Sequence, residues 1–228
     1  MVKAFFVDFY GTVVHEDGQI IKKITDIICD TGKVLNRSDV GSYWWKEFQT
    51  LCENAFDEQF ETQRELERIS LKHTLERFSC NANVDELSSM MFEHWMKPPI
   101  FEDAKEFFKR SRTPIIIVSN IDTADIMKAI EYHELTPAGV YTSEDARAYK
   151  PRKELFELAL KGSGLKADEV IHIGDSLSSD VKGAMKTGIK PLWLNREHKQ
   201  SDFKCDTIYD LTNAYYMAQN DTKQFLSW

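Results

Sequence analysis

Two kinds of hydrophobic spacing divide the chain. Residues 3–8 form a continuous apolar run closed by Asp8, the pattern of a strand buried on both faces. The next clear strand comes about a hundred residues later, at 114–118, Pro-Ile-Ile-Ile-Val. Between them the spacing is helical. Ile20, Ile21, Ile24, Ile27 and Ile28 make an i, i+3, i+4 stripe that Thr31-Gly32 can stop. Tyr43, Trp44, Phe48 and Leu51 predict a second helix, and Leu66, Ile69, Leu71, Leu75 and Phe78 a third. A fourth runs from Val84 to Trp95, and Pro98-Pro99 breaks the chain. Helix and strand then alternate: helices at 101–110, 123–132, 152–161 and 176–187, and strands at 114–118, 139–142, 170–173 and 191–194. A last strand at 207–209 and a C-terminal helix complete the reading. Such alternation predicts an α/β fold, a parallel sheet with helices on both faces, carrying a helical insertion at roughly 15–95.

Composition narrows the partners. The chain has 228 residues, 42% hydrophobic and 29% charged, ordinary values for a globular protein. A net charge of −8 argues against general nucleic-acid binding, because phosphate backbones need a basic surface, yet leaves room for a small anionic substrate in a cleft. Cys29, Cys52, Cys80 and Cys205 are scattered without a zinc-like spacing and read as free thiols of a reducing compartment. The run Phe5-Phe6-Val7 is too short for a signal peptide, and no apolar stretch is long enough to span a bilayer. A cytoplasmic protein with no membrane partner is the expectation.

Chemistry gathers at the predicted strand ends. Asp8 is followed by Phe9-Tyr10-Gly11-Thr12; a carboxylate there can attack phosphorus or an sp³ carbon, and it can also simply stabilise the Gly-Thr turn. Ser119-Asn120 ends the second strand, where a hydroxyl and an amide can hold an oxyanion or cap the next helix. Lys150-Pro151 puts an ammonium just before a helix that proline would open. Gly174-Asp175, with Asp180 five residues on, places paired carboxylates at a strand end, a set suited to Mg²⁺ or to helix capping.

In this order the four segments resemble the haloacid dehalogenase (HAD) hydrolase superfamily. The resemblance covers 1–14 and about 96–210, with 15–95 in the position of that family's cap. It implies a Rossmann-like core domain (1–14 and 96–228) and a helical cap domain (15–95). It further implies Asp8 as nucleophile, with Asp8, Asp175 and the main-chain carbonyl of Tyr10 as Mg²⁺ ligands. Asp180 would stand beside the metal, orienting waters or Lys150. Thr12, Ser119, Asn120 and Lys150 would contact the transferred group, Ser119 and Lys150 taking part in catalysis.

Tyr10 departs from the phosphatase pattern. Typical phosphatases of the superfamily carry Asp there, as the proton donor and base; the dehalogenases carry Tyr. Tyr10 therefore occupies a catalytic position with a side chain that is a poor base at neutral pH. Arg37, Tyr43 and Trp45 lie where dehalogenases place a carboxylate-binding Arg and aromatics, although cap core for the aromatics and surface for Arg37 is the simpler reading. Gly174-Asp175 is phosphatase-like. The leading expectation is a Mg²⁺-dependent phosphatase acting on a small phosphorylated metabolite. The alternatives are a 2-haloacid dehalogenase and a HAD-fold binding protein with impaired turnover. His172 reads as a satisfied core histidine, Trp44, Trp45 and Trp95 as cap packing ahead of a place on the cap's substrate side, and His15 with Glu16 as a hinge.

Overall fold

A computed structural model describes residues 2–214. The central strand, β1 (Ala4–Val7), is followed by four helices: α1 (Gly18–Thr31), α2 (Arg37–Asn54), α3 (Gln63–Arg77) and α4 (Val84–Met96). Next come α5 (Glu102–Arg110), β2 (Ile115–Ser119), α6 (Thr123–Tyr132), β3 (Gly139–Thr142), the short α7 (Ser143–Ala146) and α8 (Lys153–Ser163). The chain continues through β4 (Val170–Gly174), a π-helical turn at Leu177–Val181, α9 (Lys182–Lys186), β5 (Lys190–Leu194) and β6 (Thr207–Ile208). The strands form one parallel sheet in the order β3-β2-β1-β4-β5-β6. The order reverses at β1, so the crevice beyond its C-terminal end is the topological switch point, where open α/β sheets bind ligands.

The period of two splits each strand between two cores. Phe5 and Val7 face one side with Ile115, Ile117, Ile171 and Ile173, a layer continuous with the cap residues Ile24, Ile28, Trp44, Leu71 and Met91. Ala4 and Phe6 face the other with Ile116, Val118 and Val170, covered by Leu155, Phe156 and Ala159 of α8 and Ala184 of α9. The helical insertion thus shares an apolar layer with one face of the sheet. Two ties also hold it over the crevice. Asp122, just before α6, accepts from the main-chain N–H of Gln63 (2.7 Å) and Arg64 (2.9 Å), capping the N-terminus of α3. The Arg64 guanidinium then grips buried Asp125 at 2.7 and 2.5 Å.

Some expectations shift. Pro151 does not open a helix: it lies in a turn and α8 starts at Lys153 behind Arg152 as N-cap. The helix read over 176–187 begins as the π-helical turn, entered through Ser176, whose hydroxyl accepts from Ser179 N–H. α7 has no counterpart in the apolar spacing, because its single turn rests on a Thr142–Asp145 capping box. Residues 211–214 are helical, and the rest of the expected C-terminal helix lies outside the described residues. Among the described residues no helix is long and apolar enough to cross a membrane, and all four cysteines are free.

Candidate active site

Asp8 leaves β1 at the switch point, and parallel pairing with β2 and β4 brings Ser119 and Asp175 to the same edge. The Lys150 ammonium is buried between two carboxylates, 2.7 Å from Asp8 Oδ1 and 2.6 Å from Asp180 Oδ1, and it also donates to the Val118 carbonyl at 3.0 Å. Asn120 fixes that lysine's loop: its Oδ1 accepts from Lys150 N–H at 2.7 Å and its Nδ2 donates to the Lys150 carbonyl at 3.3 Å. Asp180 is saturated, because Oδ1 also accepts from His172 Nε2 (2.9 Å) and Oδ2 from Ser176 N–H (3.1 Å).

Two glycines make this approach possible. Gly11 sits at φ +83°, and a β-carbon there would lie 2.7 Å from the Asp175 carboxylate. A β-carbon on Gly174 would lie 2.2 Å from Asp180 Cγ. Gly174→Ala is therefore expected to push Asp180 off Lys150 and cost about 1–3 kcal/mol of stability. Thermal melting checks this, and an unchanged midpoint would show that Asp180 can yield without loss.

The charges do not balance. Asp8, Asp175 and Asp180 bring ligand oxygens within 4.8 Å of one another. Burial raises the Asp8 pKa to about 6 against the pull of Lys150. Asp180 is held well below the usual carboxylate range, since Lys150 and His172 outweigh its burial. Asp175 is pushed up to about 8 by burial and by the charges of Asp8 and Asp180. Three carboxylates thus face one ammonium, and Asp175 is the one left unneutralised. With all three ionised, an all-oxygen donor set two positive charges short fits a hard divalent cation.

The candidate residues fall into groups. Asp8, Ser119, Asn120, Lys150, Asp175 and Asp180 come together around one cavity of about 260 Å³. Thr12, read as a substrate contact, is instead fully buried, and its hydroxyl donates to Asp175 Oδ1 at 3.3 Å. The Tyr10 hydroxyl donates to the Trp95 carbonyl, and burial holds the phenol well above its ordinary pKa, so this side chain keeps its proton and is no base. His172 is only half satisfied: burial keeps the ring neutral, Nε2–H serves Asp180, and Nδ1 has no partner. Trp45, expected in the cap core, is 58% exposed at the cavity mouth because its α2 position faces outward. Arg37 lies on the surface, paired with Asp26 and Asp30.

Sequence reasoning missed Glu67. It lies on the buried stripe of α3, one turn from Leu71 and Ser70, and lines the cavity with Oε1 unpartnered. Its signal was a lone acid on the apolar face of an amphipathic helix.

Known proteins frame this geometry. A family model for haloacid dehalogenase-like hydrolases matches residues 2–188. The phosphoserine phosphatase of Thermus thermophilus is 24% identical over 124 residues, 51% of this chain and 49% of that protein. The zebrafish (Danio rerio) haloacid dehalogenase-like hydrolase domain-containing protein 3 is 39% identical over 61 residues, 27% of this chain and 25% of that protein. The chain thus spans half or less of the length of these curated relatives. Among solved structures, L-2-haloacid dehalogenase from Xanthobacter autotrophicus superposes with a TM-score of 0.77 at 15% identity, covering 96% of this chain and 99% of that one. The magnesium-bound HAD-hydrolase YfnB of Bacillus subtilis gives 0.71 at 19%, covering 95% and 98%. At those identities the structural likeness speaks for the fold alone. With the family model matching most of the chain, this protein belongs to the haloacid dehalogenase-like hydrolases.

Proposed function

We propose that the protein is a Mg²⁺-dependent phosphoryl hydrolase for small phosphorylated metabolites, with Asp8 as nucleophile. In this reading residues 15–95 are a cap domain over a core of 1–14 and 96–228. The observation that carries it is the unneutralised Asp175 beside Asp8 and Asp180, a charge deficit that a divalent cation would fill. Asp8, Asp175 and the Tyr10 carbonyl would hold the cation. When bound it would polarise the phosphoryl oxygens and neutralise the carboxylates.

The chain's own residues do the rest. An Asp8 oxygen attacks phosphorus in line as the ester P–O bond breaks, giving an aspartyl-phosphate and the leaving alkoxide. Ser119 would bind an equatorial oxygen, and Lys150 would turn an N–H from the Val118 carbonyl to another while keeping Asp8 ionised. Water then attacks the same phosphorus, the Asp8–phosphorus bond breaks, and phosphate and free Asp8 return. With the Tyr10 hydroxyl tied to Trp95, no acid at that position protonates the leaving group. Turnover should therefore favour leaving groups of low pKa, such as acyl and aryl phosphates over alkyl ones.

That same Tyr10 favours the second reading, a 2-haloacid dehalogenase. Arg37 opposes it, being engaged on the surface and unable from there to meet a substrate carboxylate in the cavity. The third, a binding protein with impaired turnover, differs in outcome. Phosphate release from acetyl phosphate and a panel of phosphomonoesters, with Mg²⁺ and with chelator, run beside halide release from L-2-chloropropionate, separates the three. The expected result is Mg²⁺-dependent phosphate release and no halide. Halide release insensitive to chelator would replace this reading with the dehalogenase, and silence in both assays with a binding role.

A further inference from the structure

Beyond the reacting atoms the cavity has a marked character. Trp44, Trp95, Phe48, Met91 and Ile21 line its cap side. The indole N–H groups are already used, Trp44 Nε1 donating to Ser70 Oγ (3.2 Å) and Trp95 Nε1 to Asp17 Oδ2 (3.1 Å), so these tryptophans have only ring surface left to offer. Lys150 is the only cation among the described residues lining the cavity, and Asp8, Asp180 and the Val118 carbonyl engage it. Glu67 is 4% exposed against this wall, and its Oε1 is among the buried polar atoms without a partner. An unpaired buried polar group on an apolar, aromatic wall marks the place where a ligand's polar group belongs.

We propose, resting on the phosphoryl-hydrolase reading, that the leaving group is a single uncharged aromatic ring carrying an amide-like group, which Glu67 reads by hydrogen bonding. The aromatic faces would stack on the ring. A cavity of about 260 Å³ has room for one ring beside a phosphoryl group. A carboxylate or second phosphate on the ring would lose its hydration against this wall with no free cation to offset its charge. Burial, then the charge of Asp17, raises the Glu67 pKa to about 8, so at neutral pH its carboxyl can both donate to a carbonyl and accept from an N–H.

The test compares 3-carbamoylphenyl, phenyl and 3-carboxyphenyl phosphate on wild type, Glu67→Gln and Glu67→Leu, with acetyl phosphate as a substrate that lacks the ring. In wild type kcat/KM should favour the carbamoyl ester over the phenyl ester by about tenfold. The carboxy ester should fall roughly 100-fold below the carbamoyl one. Glu67→Gln should keep the carbamoyl preference and Glu67→Leu reduce it to the ratio that ring electronics alone sets. Ring electronics are the same for every protein, so the change between variants isolates the pocket. A carboxy ester handled as well as the carbamoyl ester would overturn the proposal, and so would a carbamoyl preference undiminished in Glu67→Leu. If no protein hydrolyses acetyl phosphate, the hydrolase reading fails by itself. Saturation-transfer NMR with 3-hydroxybenzamide and 3-hydroxybenzoate then decides the pocket: selective amide binding lost in Glu67→Leu supports it, and equal binding refutes it.

Discussion

Asp8→Asn is expected to abolish turnover, by at least ~10⁴-fold in kcat, while leaving the fold intact. The substituted amide keeps the shape and can still accept a hydrogen bond from Lys150, but its oxygen is a far weaker nucleophile. The substitution also removes one of three clustered carboxylates, so the melting temperature should hold or rise. Stopped assays for phosphate with differential scanning calorimetry check both halves. Retained activity would mean that Asp8 is not the attacking group. Lost activity with a collapsed fold would leave its chemistry undecided and its role structural.

Lys150→Met should have the largest effect on stability. The ammonium is 2% exposed and answers two buried carboxylates at once. Burial disfavours its charge, yet Asp180 and Asp8 outweigh burial and hold the pKa above the ordinary lysine value. Removing one partner of such a pair leaves uncompensated charge, a cost of about 3–5 kcal/mol. For a chain of this size that lowers the melting temperature by roughly 6–20 °C. Adding Asp180→Leu should restore part of the loss, because the orphaned carboxylate leaves with it. If the single variant melts like wild type, or the double falls by the sum of two independent losses, Asp8, Lys150 and Asp180 do not act as one coupled unit.

How much of this was legible beforehand differed by residue. Strand ends were easy, because an unbroken apolar run such as 4–7 or 115–118 has no other place than a buried parallel strand, and its first polar residue marks the edge. The order of Asp8, Ser119, Lys150 and Asp175 along the chain, set on such edges, was enough to expect one constellation, and these residues line one cavity. What the residues do inside it was less legible. Nothing in Asp8-x-Tyr10 says that the phenol points to the Trp95 carbonyl, since that partner lies 85 positions away. Thr12 next to a glycine looks like an anion donor until the chain turns it toward Asp175. His172 reads as core, and only the π-helical turn that swings Asp180 back beneath the strand gives its Nε2 a partner. Glu67 was invisible for another reason: a period-3.6 reading counts apolar positions and passes over the acid among them.

The most direct test of the central claim is a rapid acid quench of the enzyme turning over acetyl phosphate with Mg²⁺, followed by mass spectrometry of its peptides. A phosphoryl-group mass increment is expected on the peptide that contains Asp8, absent in Asp8→Asn and absent with chelator. Phosphate release with no adduct on that peptide, or an adduct that forms equally without Mg²⁺, would contradict it.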